Sequence, residues 1–579
     1  MLWLMSRLFF QSLVLLCICS AGALAQSIVP GQSDLAGPRR SGAAVQLPQI
    51  EPKPPPQPSI AAPAPAAPQG SPLSSAPIFV LRKIALEGNT ALDEPSIGAA
   101  AAPYIGKPVS IADLEELRRQ LTLLYINRGY INSGVTIPDQ NVENSVVVYR
   151  AVEGRVTGIE VSGVKSFDPE YFRARLERGL TTPFNVADME QEQQILLQDP
   201  LVRRLNIELL PGLVPGEARA HADVEEASPY AAVMQIANNQ SPTVGEIRGQ
   251  MQGSAANILG FGDILSAQYG RSQGINDGAI GYSLPILSDD TRLSLHYDIN
   301  GTLVVAPTLS PLHITSNYDS LAVGLSRPFY RTAEQNLTLG LNLERRQAQT
   351  FIQPPGSPAI PFGFFNGADA NGRANVTALR FYQDYLDRDA EHAFALRSTL
   401  SFGLPMLGAT VTTMAPTGKF FSWLGQAQYV RRVYRDWDAV IRSDLQLSNH
   451  PLFPIEQFAL GGIDTVRGYR QFLTVTDDAF FASAELRIPV GTLRLPYLAD
   501  TAEAGTVQIV PFYDFGTGWN VDRATPPPSD ISGVGAGVRW LIGSGVTAEV
   551  YYGKALRHVP VGTALEDRGL YFRLTAKVY

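Results

Sequence analysis

Cysteine is almost missing from this chain: 579 residues contain two, Cys17 and Cys19. Both fall before residue 26, where Arg7 precedes an apolar run from Leu8 to Ile18 and Ala23-Leu24-Ala25 supplies a small-residue cleavage site. This is the pattern of a secretory signal, and it makes Gln26 the first mature residue. The mature chain then has no disulfide, no thiolate nucleophile and no cysteine-held metal. After the signal there is no run of roughly 18 uncharged apolar residues, which excludes a membrane-spanning helix. A basic surface is missing too: the net charge is −8, so nucleic acid is not an expected partner. The six histidines, His221, His296, His313, His392, His450 and His558, stand in no metal-ligand spacing. Gly106-Lys107-Pro108-Val109-Ser110 lacks the upstream glycine of a phosphate-binding loop. No nucleophile, base and orienting group can be assembled. The expectation is a protein that is not an enzyme and needs no metal or cofactor.

What the chain has is repetition. Residues 26–77 form a linker whose centre, Pro52-Lys53-Pro54-Pro55-Pro56-Gln57-Pro58, favours extended polyproline II. Between Phe79 and Ala227 one pattern occurs twice at a constant offset. Ile84-x-Leu86-x-Gly88 with Leu92-Asp93 returns as Ile159-x-Val161-x-Gly163 with Phe167-Asp168. Pro108 with Ala112-Asp113-Leu114-Glu115 returns as Pro183 with Ala187-Asp188-Met189-Glu190. A gapless repeat of this length marks tandem copies of one small unit. Each unit opens on an alternating strand. A helix follows, with Ser110 and Asn185 as N-caps backed by Asp113 and Asp188 three residues on. Leu114, Leu117, Leu121 and Leu124 give the first helix an apolar face. Val146-Val147-Val148-Tyr149, and Ala218 to Val224, close the two units as strands. The expected boundaries are 1–25 for the signal, 26–77 for the linker, 78–154 and 155–227 for two α/β modules, and 228–579 for the rest.

In that last region the period changes to two. Leu293, Leu295, Tyr297 and Ile299 interleave with Arg292, Ser294, His296 and Asp298. Leu337, Leu339, Leu341 and Leu343, then Phe394, Leu396, Leu400 and Phe402, then Val546, Ala548, Val550 and Tyr552 do the same. Period two means strands with one wet face. A soluble sandwich would alternate in the same way. The secretory signal, the length of the region and the charges on many polar faces favour a membrane barrel. About 350 residues at ~22 per strand and turn give roughly sixteen strands.

Two stretches interrupt the alternation. Leu460-Gly461-Gly462-Ile463-Asp464-Thr465-Val466-Arg467-Gly468-Tyr469-Arg470 reads as a glycine-rich loop tip. Phe512-x-Asp514-x-Gly516 reads as a strand. On that strand Ile509, Pro511, Tyr513 and Phe515 share the lipid parity, and Gln508, Phe512, Asp514 and Gly516 the lumen parity. Arginine and aspartate are costly to bury unless they pair. Either Arg467 and Asp514 latch an infolded loop, or Arg467 closes a surface turn and Asp514 faces water.

The mature chain resembles the outer-membrane transporters of two-partner secretion, the haemolysin secretion/activation family of the barrel-assembly superfamily. The first repeat is similar to its POTRA module through Gly88-Asn89-Thr90, Arg128-Gly129-Tyr130 and Val152-Glu153-Gly154. Val466-Arg467-Gly468-Tyr469 is similar to the signature at the tip of the loop that folds into the lumen. Phe512-x-Asp514-x-Gly516 is similar to the strand motif that receives it. The resemblance implies an all-β transmembrane barrel of about sixteen antiparallel strands behind two small α/β POTRA domains. It implies a monomer in the lipid of the cell outer membrane, with the POTRA domains in the periplasm. It also implies a large β-helical exoprotein as partner, recognised at the POTRA domains and secreted through the lumen without ATP. A barrel-assembly insertase of the same superfamily is the alternative. Two features depart from the family. Its short N-terminal plug helix has no clear counterpart in Gln26 to Gln46, which carries Pro30, Pro38 and three glycines. The outward aromatic that ends its last strand is matched only by Tyr579, which falls on the other parity from Leu570, Phe572, Leu574, Ala576 and Val578.

Overall fold

A computed structural model of the chain describes residues 50–54, 57, 60–61, 74–362, 368–412, 416–495, 504–543, 545–559 and 562–578. The signal with its cleavage site, the Gln26 to Gln46 stretch and Tyr579 lie outside the described residues. The chain divides into two units, Pro56–Ala227, and Ser228–Tyr579 together with the N-terminal residues up to Pro55.

The first unit holds two modules of one topology, strand–helix–helix–strand–strand. The first module runs Lys83–Glu87, Glu94–Ala101, Ile111–Asn127, Gly134–Thr136 and Val146–Val152. The second runs Arg155–Ser162, Pro169–Leu176, Val186–Leu196, Val202–Pro211 and Glu217–Glu226. In each, the closing strand lies in the middle of the sheet. It is parallel to the opening strand and antiparallel to the one before it. The repeat in the sequence marks the opening strand, the second helix and the closing strand. It passes over the first helices, which span 8 residues each, begin at Asp93 and Asp168 caps, and are too short to show a period.

Two details differ from the sequence expectation. Leu114, Leu117 and Leu121 are buried, but the fourth core position is Tyr125, while Leu124 is only partly covered. At 3.6 residues per turn the eleventh residue after Leu114 returns to the stripe and the tenth falls at its edge. Ser110 and Asp113 form a reciprocal capping box, but Asn185 and Asp188 do not. In the second module the Thr181 hydroxyl stands between them. It donates to Asp188 at 2.9 Å and accepts the Asn185 N–H at 3.2 Å.

One device closes both modules. The Glu153 carboxylate accepts the N–H groups of Thr90 and Ala91 and the Thr90 hydroxyl. The Glu226 carboxylate accepts the N–H groups of Lys165, Ser166 and Phe167 and the Ser166 hydroxyl. Each acid ties the end of the closing strand to the turn after the opening strand. Burial pushes both carboxyls up, and these hydrogen bonds outweigh it and hold them below the usual carboxylate range. From the linker, Ile60–Ala61 adds in parallel to Ile207–Glu208 at the edge of the second sheet.

The second unit is a closed barrel of sixteen antiparallel strands, from Tyr230–Ala237 to Leu570–Lys577, which pair with each other to close it. The two-residue strand Ile360–Pro361 is an accessory pairing on the strand Gln335–Ile352. Along Arg292–Leu303, Leu293, Leu295, Tyr297 and Ile299 are exposed on the outside, and Asp298 is buried inside and bonded to His296. A sandwich would turn the apolar face inward. Here it faces out and the charged residues line the interior, which only a surrounding bilayer rewards. No described helix is long and apolar enough to cross a membrane, so the crossing falls to the strands. At the end of the barrel that carries the Asp389 turn, Ile50 packs on Ala393, Val430 and Val440.

One connection leaves the pattern. Residues 449–477, between the strands Trp437–Ser448 and Asp478–Thr492, fold into the lumen. Phe458–Leu460 and Thr474–Thr476 pair as a small hairpin there. Its tip lies where the candidate residues meet.

Candidate functional site

The strand Thr506–Trp519 turns Phe512, Asp514 and Gly516 inward and leaves Ile509, Pro511 and Tyr513 exposed. Into this face comes the loop tip. Arg467 meets Asp514 through two side-chain bonds, Nε to Oδ2 at 2.7 Å and Nη2 to Oδ1 at 2.8 Å. Its backbone N–H donates to the same carboxylate at 3.1 Å. Arg467 is 1% exposed and Asp514 is 0% exposed. In a site this dry the two-pronged geometry is what makes the charges tolerable.

The fork has further partners. Nη1 lies 2.7 Å from Glu485 Oε1. Nη2 also donates to Ser483 Oγ at 3.3 Å, and Ser483 donates to Asp514 at 2.7 Å. The guanidinium carbon sits 3.5 Å from the Phe512 ring centroid and 5.0 Å from that of Tyr551. Phe512 of the strand motif therefore supplies an aromatic floor under the cation. Two carboxylates and two rings surround one arginine, an arrangement that lysine could not fill.

The remaining motif residues provide space and backbone anchorage. Gly468 has φ +102°, and a side chain there would press on Ala555 N at 2.8 Å. Its N–H donates to the Tyr571 hydroxyl, which donates in turn to Tyr469 O. The Tyr469 hydroxyl donates to the carbonyl of Ser532 and accepts the N–H of Arg557. Val466 is fully buried with Phe458, Leu460, Phe481 and Ile531. A Cβ at Gly516 would stand 2.9 Å from Val466, so the strand glycine makes room for the apolar side of the tip. All seven motif residues, Val466, Arg467, Gly468, Tyr469, Phe512, Asp514 and Gly516, thus lie in one assembly.

Sequence reasoning did not reach the rest of this assembly. Ser483 and Glu485 pair in register with Asp514 and Phe512 on the neighbouring strand. Their inward parity was readable, but their register was not. Asp464 bonds Arg573, Arg470 bonds Asp567 at 2.7 Å, and Glu566 accepts the Gln471 N–H, so the tip is also held by the last strand and the loop before it. Gly533 passes beneath the tip: a Cβ there would fall 1.8 Å from Arg467 O. Gly533→Ala is therefore expected to lift the tip with every charge intact. Its docking should weaken about tenfold or more, with unchanged insertion, since overpacking costs about 1–3 kcal/mol. Amide exchange across residues 461–470, read beside heat-modifiable gel mobility, checks this, and unchanged protection would show that the tip tolerates the extra methyl.

Beside the docked tip the lumen keeps a polar pocket, lined among others by Arg442, Asp444, Glu485, Arg487 and Glu549. Among the described residues no group of His, Cys, Asp and Glu is placed to hold a metal ion.

This latch lies in a barrel preceded by small α/β modules, and comparison with known proteins places the combination. Residues 216–540 match the model of the haemolysin secretion/activation proteins ShlB, FhaC and HecB. The chain belongs to that family. Residues 79–154 of this haemolysin secretion/activation family member match the ShlB-type POTRA domain. It is 23% identical over 485 residues to the outer membrane transporter CdiB of Dickeya dadantii, covering 80% of this chain and 81% of the relative. It is 21% identical over 436 residues to the heme/hemopexin transporter protein HuxB of Haemophilus influenzae, covering 72% and 71%. The fold is that of CdiB from Escherichia coli, with a TM-score of 0.64 at 21% identity over 88% of this chain and 92% of the other. BamA from Haemophilus ducreyi lacking POTRA domains 1–3 shares the fold at a TM-score of 0.52 and 14% identity, over 87% and 100%. The protein is a two-partner-secretion-type transporter of the outer membrane, with its POTRA region in the periplasm. Its family is one of transporters rather than enzymes, and family members work with a secreted exoprotein.

Proposed function

We propose that this transporter recognises a large β-helical exoprotein at its POTRA domains and passes it, unfolded, through the barrel lumen without ATP. The observation that carries this reading is the loop of residues 449–477, docked inside the lumen by a buried ion pair rather than by the barrel ladder. Such a contact is strong enough to hold a resting state. It is also local enough to be exchanged for contacts with a passing chain. We take residues 1–25 as the signal, 26–77 as the linker, 78–154 and 155–227 as the two POTRA domains, and 228–579 as the barrel. One chain closes the barrel, which supports a monomer.

Recognition by strand addition fits the modules. The edge strand Val202–Pro211 already takes Ile60–Ala61 in parallel, so its main-chain groups accept an extended segment. Strand addition draws its affinity from those groups and tolerates varied side chains. Glu208 and Leu210 point outward from this edge and are exposed. A photo-crosslinking residue placed at either position is expected to capture the exoprotein during export. Equal capture from positions on the helix Ile111–Asn127, or none at the edge, would overturn strand addition as the mode of recognition.

A further inference from the structure

The loop of residues 449–477 is tied to the barrel at a second place, far along the wall from Asp514. Where its entering limb crosses the lumen, Glu456 is buried against two arginines. Its carboxylate accepts from Arg380 Nη2 at 2.8 and 2.9 Å and from Arg346 Nη1 at 3.0 Å. Arg346 Nη1 also donates to the Ile455 carbonyl at 3.0 Å. Both arginines come from adjacent strands, Gln335–Ile352 and Arg373–Arg388. The strands His392–Gly403, Phe421–Tyr434 and Trp437–Ser448 separate them from the strands that hold Arg467.

The charges of this patch do not balance without the loop. The wall contributes Arg346, Arg380 and Glu344, with Glu344 2.7 Å from Arg380 Nε and 3.0 Å from Arg346 Nε. Among the groups in direct contact, two cations share one wall anion, and an uncompensated buried charge is costly. Glu456 is the missing counter-ion. At the tip the signs are reversed. The wall offers Asp514 and Glu485 with Arg442 3.7 Å from Glu485, and the loop brings the cation Arg467.

The apolar contacts divide in the same way. Leu452, Phe453 and Ile455 of the limb pack with Ala374, Val376, Ala378 and Phe420. The tip belongs to other clusters, around Phe458 and Phe481 and around Phe512 and Tyr571. Asp477 ties the two limbs together at the mouth, accepting from Leu452 N–H, Gln457 Nε2 and Arg523.

We propose that Glu456 is a positioning residue that seats the entering limb on the Arg346–Arg380 wall independently of Arg467, so that the tip leaves Asp514 while the limb stays docked. The loop is then a hinged lid with one fixed and one releasable anchor. This rests on the reading of the loop as a lid that moves in transport. Its test needs no exoprotein, so the two can fail separately.

The test is segment-resolved amide hydrogen exchange on the full-length protein in detergent micelles, with insertion checked by heat-modifiable mobility. In Glu456→Gln, amides of residues 453–458 are expected to exchange roughly a hundredfold faster, with those of residues 461–470 unchanged. Arg467→Ala is expected to show the reverse. Glu456→Asp keeps the counter-ion and is expected to restore most of the limb protection. It also serves as the reporter should the glutamine variant not insert, with any loosening confined to residues 453–458. Simultaneous release of both segments by a change at either anchor would overturn the proposal. So would unchanged protection of residues 453–458 in Glu456→Gln, or failure of the aspartate to rescue.

Discussion

Removal of residues 79–227 is expected to abolish secretion of the exoprotein and to leave an inserted barrel. The two units are built for this separation. The barrel closes through pairing of Tyr230–Ala237 with Arg248–Ala256 on one side and Leu570–Lys577 on the other, all within residues 228–579. The modules bury their own core, in the first one around Leu117, Leu121, Tyr125 and Tyr149. Among the described residues no strand of either sheet joins the barrel ladder. Secretion should therefore fall to background, while the truncated protein keeps the gel mobility shift on heating that marks a folded barrel. Normal secretion by the truncated protein would exclude the modules as the recognition site. Loss of the mobility shift would show that the barrel needs them to form.

The second large effect is at the latch. Arg467→Ala is expected to impair secretion more than Asp514→Ala, and the double variant should be no worse than Arg467→Ala alone. The asymmetry comes from the surroundings. Without Arg467, Asp514 loses the arginine that pairs it, while Glu485 keeps Arg442 at 3.7 Å and Arg487 beside it. Without Asp514, Arg467 keeps Glu485 at 2.7 Å, Ser483 and the Phe512 ring. Breaking one partner of a buried pair costs about 3–5 kcal/mol, mostly through the charge left behind. The undocked fraction of the loop then rises roughly a hundredfold to several thousandfold. The double variant removes one charge of each sign, so its cost is far below the sum of the singles, with a coupling of about 0.5–3 kcal/mol or more. A double-mutant cycle on secretion rate, normalised to inserted protein, measures this. Additive defects, or wild-type secretion by Arg467→Ala, would show that the loop is held by other contacts.

What is local or periodic was legible before the chain folded. A gapless repeat set out two copies of one module, because each copy must bury its own core and keeps the residues that do so. Period-two alternation set the inward and outward faces of the strands, because successive side chains point to opposite sides. That parity placed Asp514, Phe512 and Gly516 on the lumen side.

Register and long-range distance were set by the folded chain. It put Glu485 and Ser483 opposite the strand motif, since strand alternation fixes a side but not which residue lies alongside. It brought Gly533 under the tip and Tyr571 against Gly468, contacts that bridge 66 positions of chain or more and 103. It showed Thr181 displacing the second capping box and Tyr125 replacing Leu124, where a single hydroxyl or a 100° step decided the outcome. It also gave Glu456 its partners. An isolated glutamate in a loop carries no sign of where it lands, and its role exists only because two arginines, 76 and 110 residues upstream, meet it inside the lumen. A buried charge is settled by the sum of its neighbours, and that sum is formed only when the chain has closed on itself.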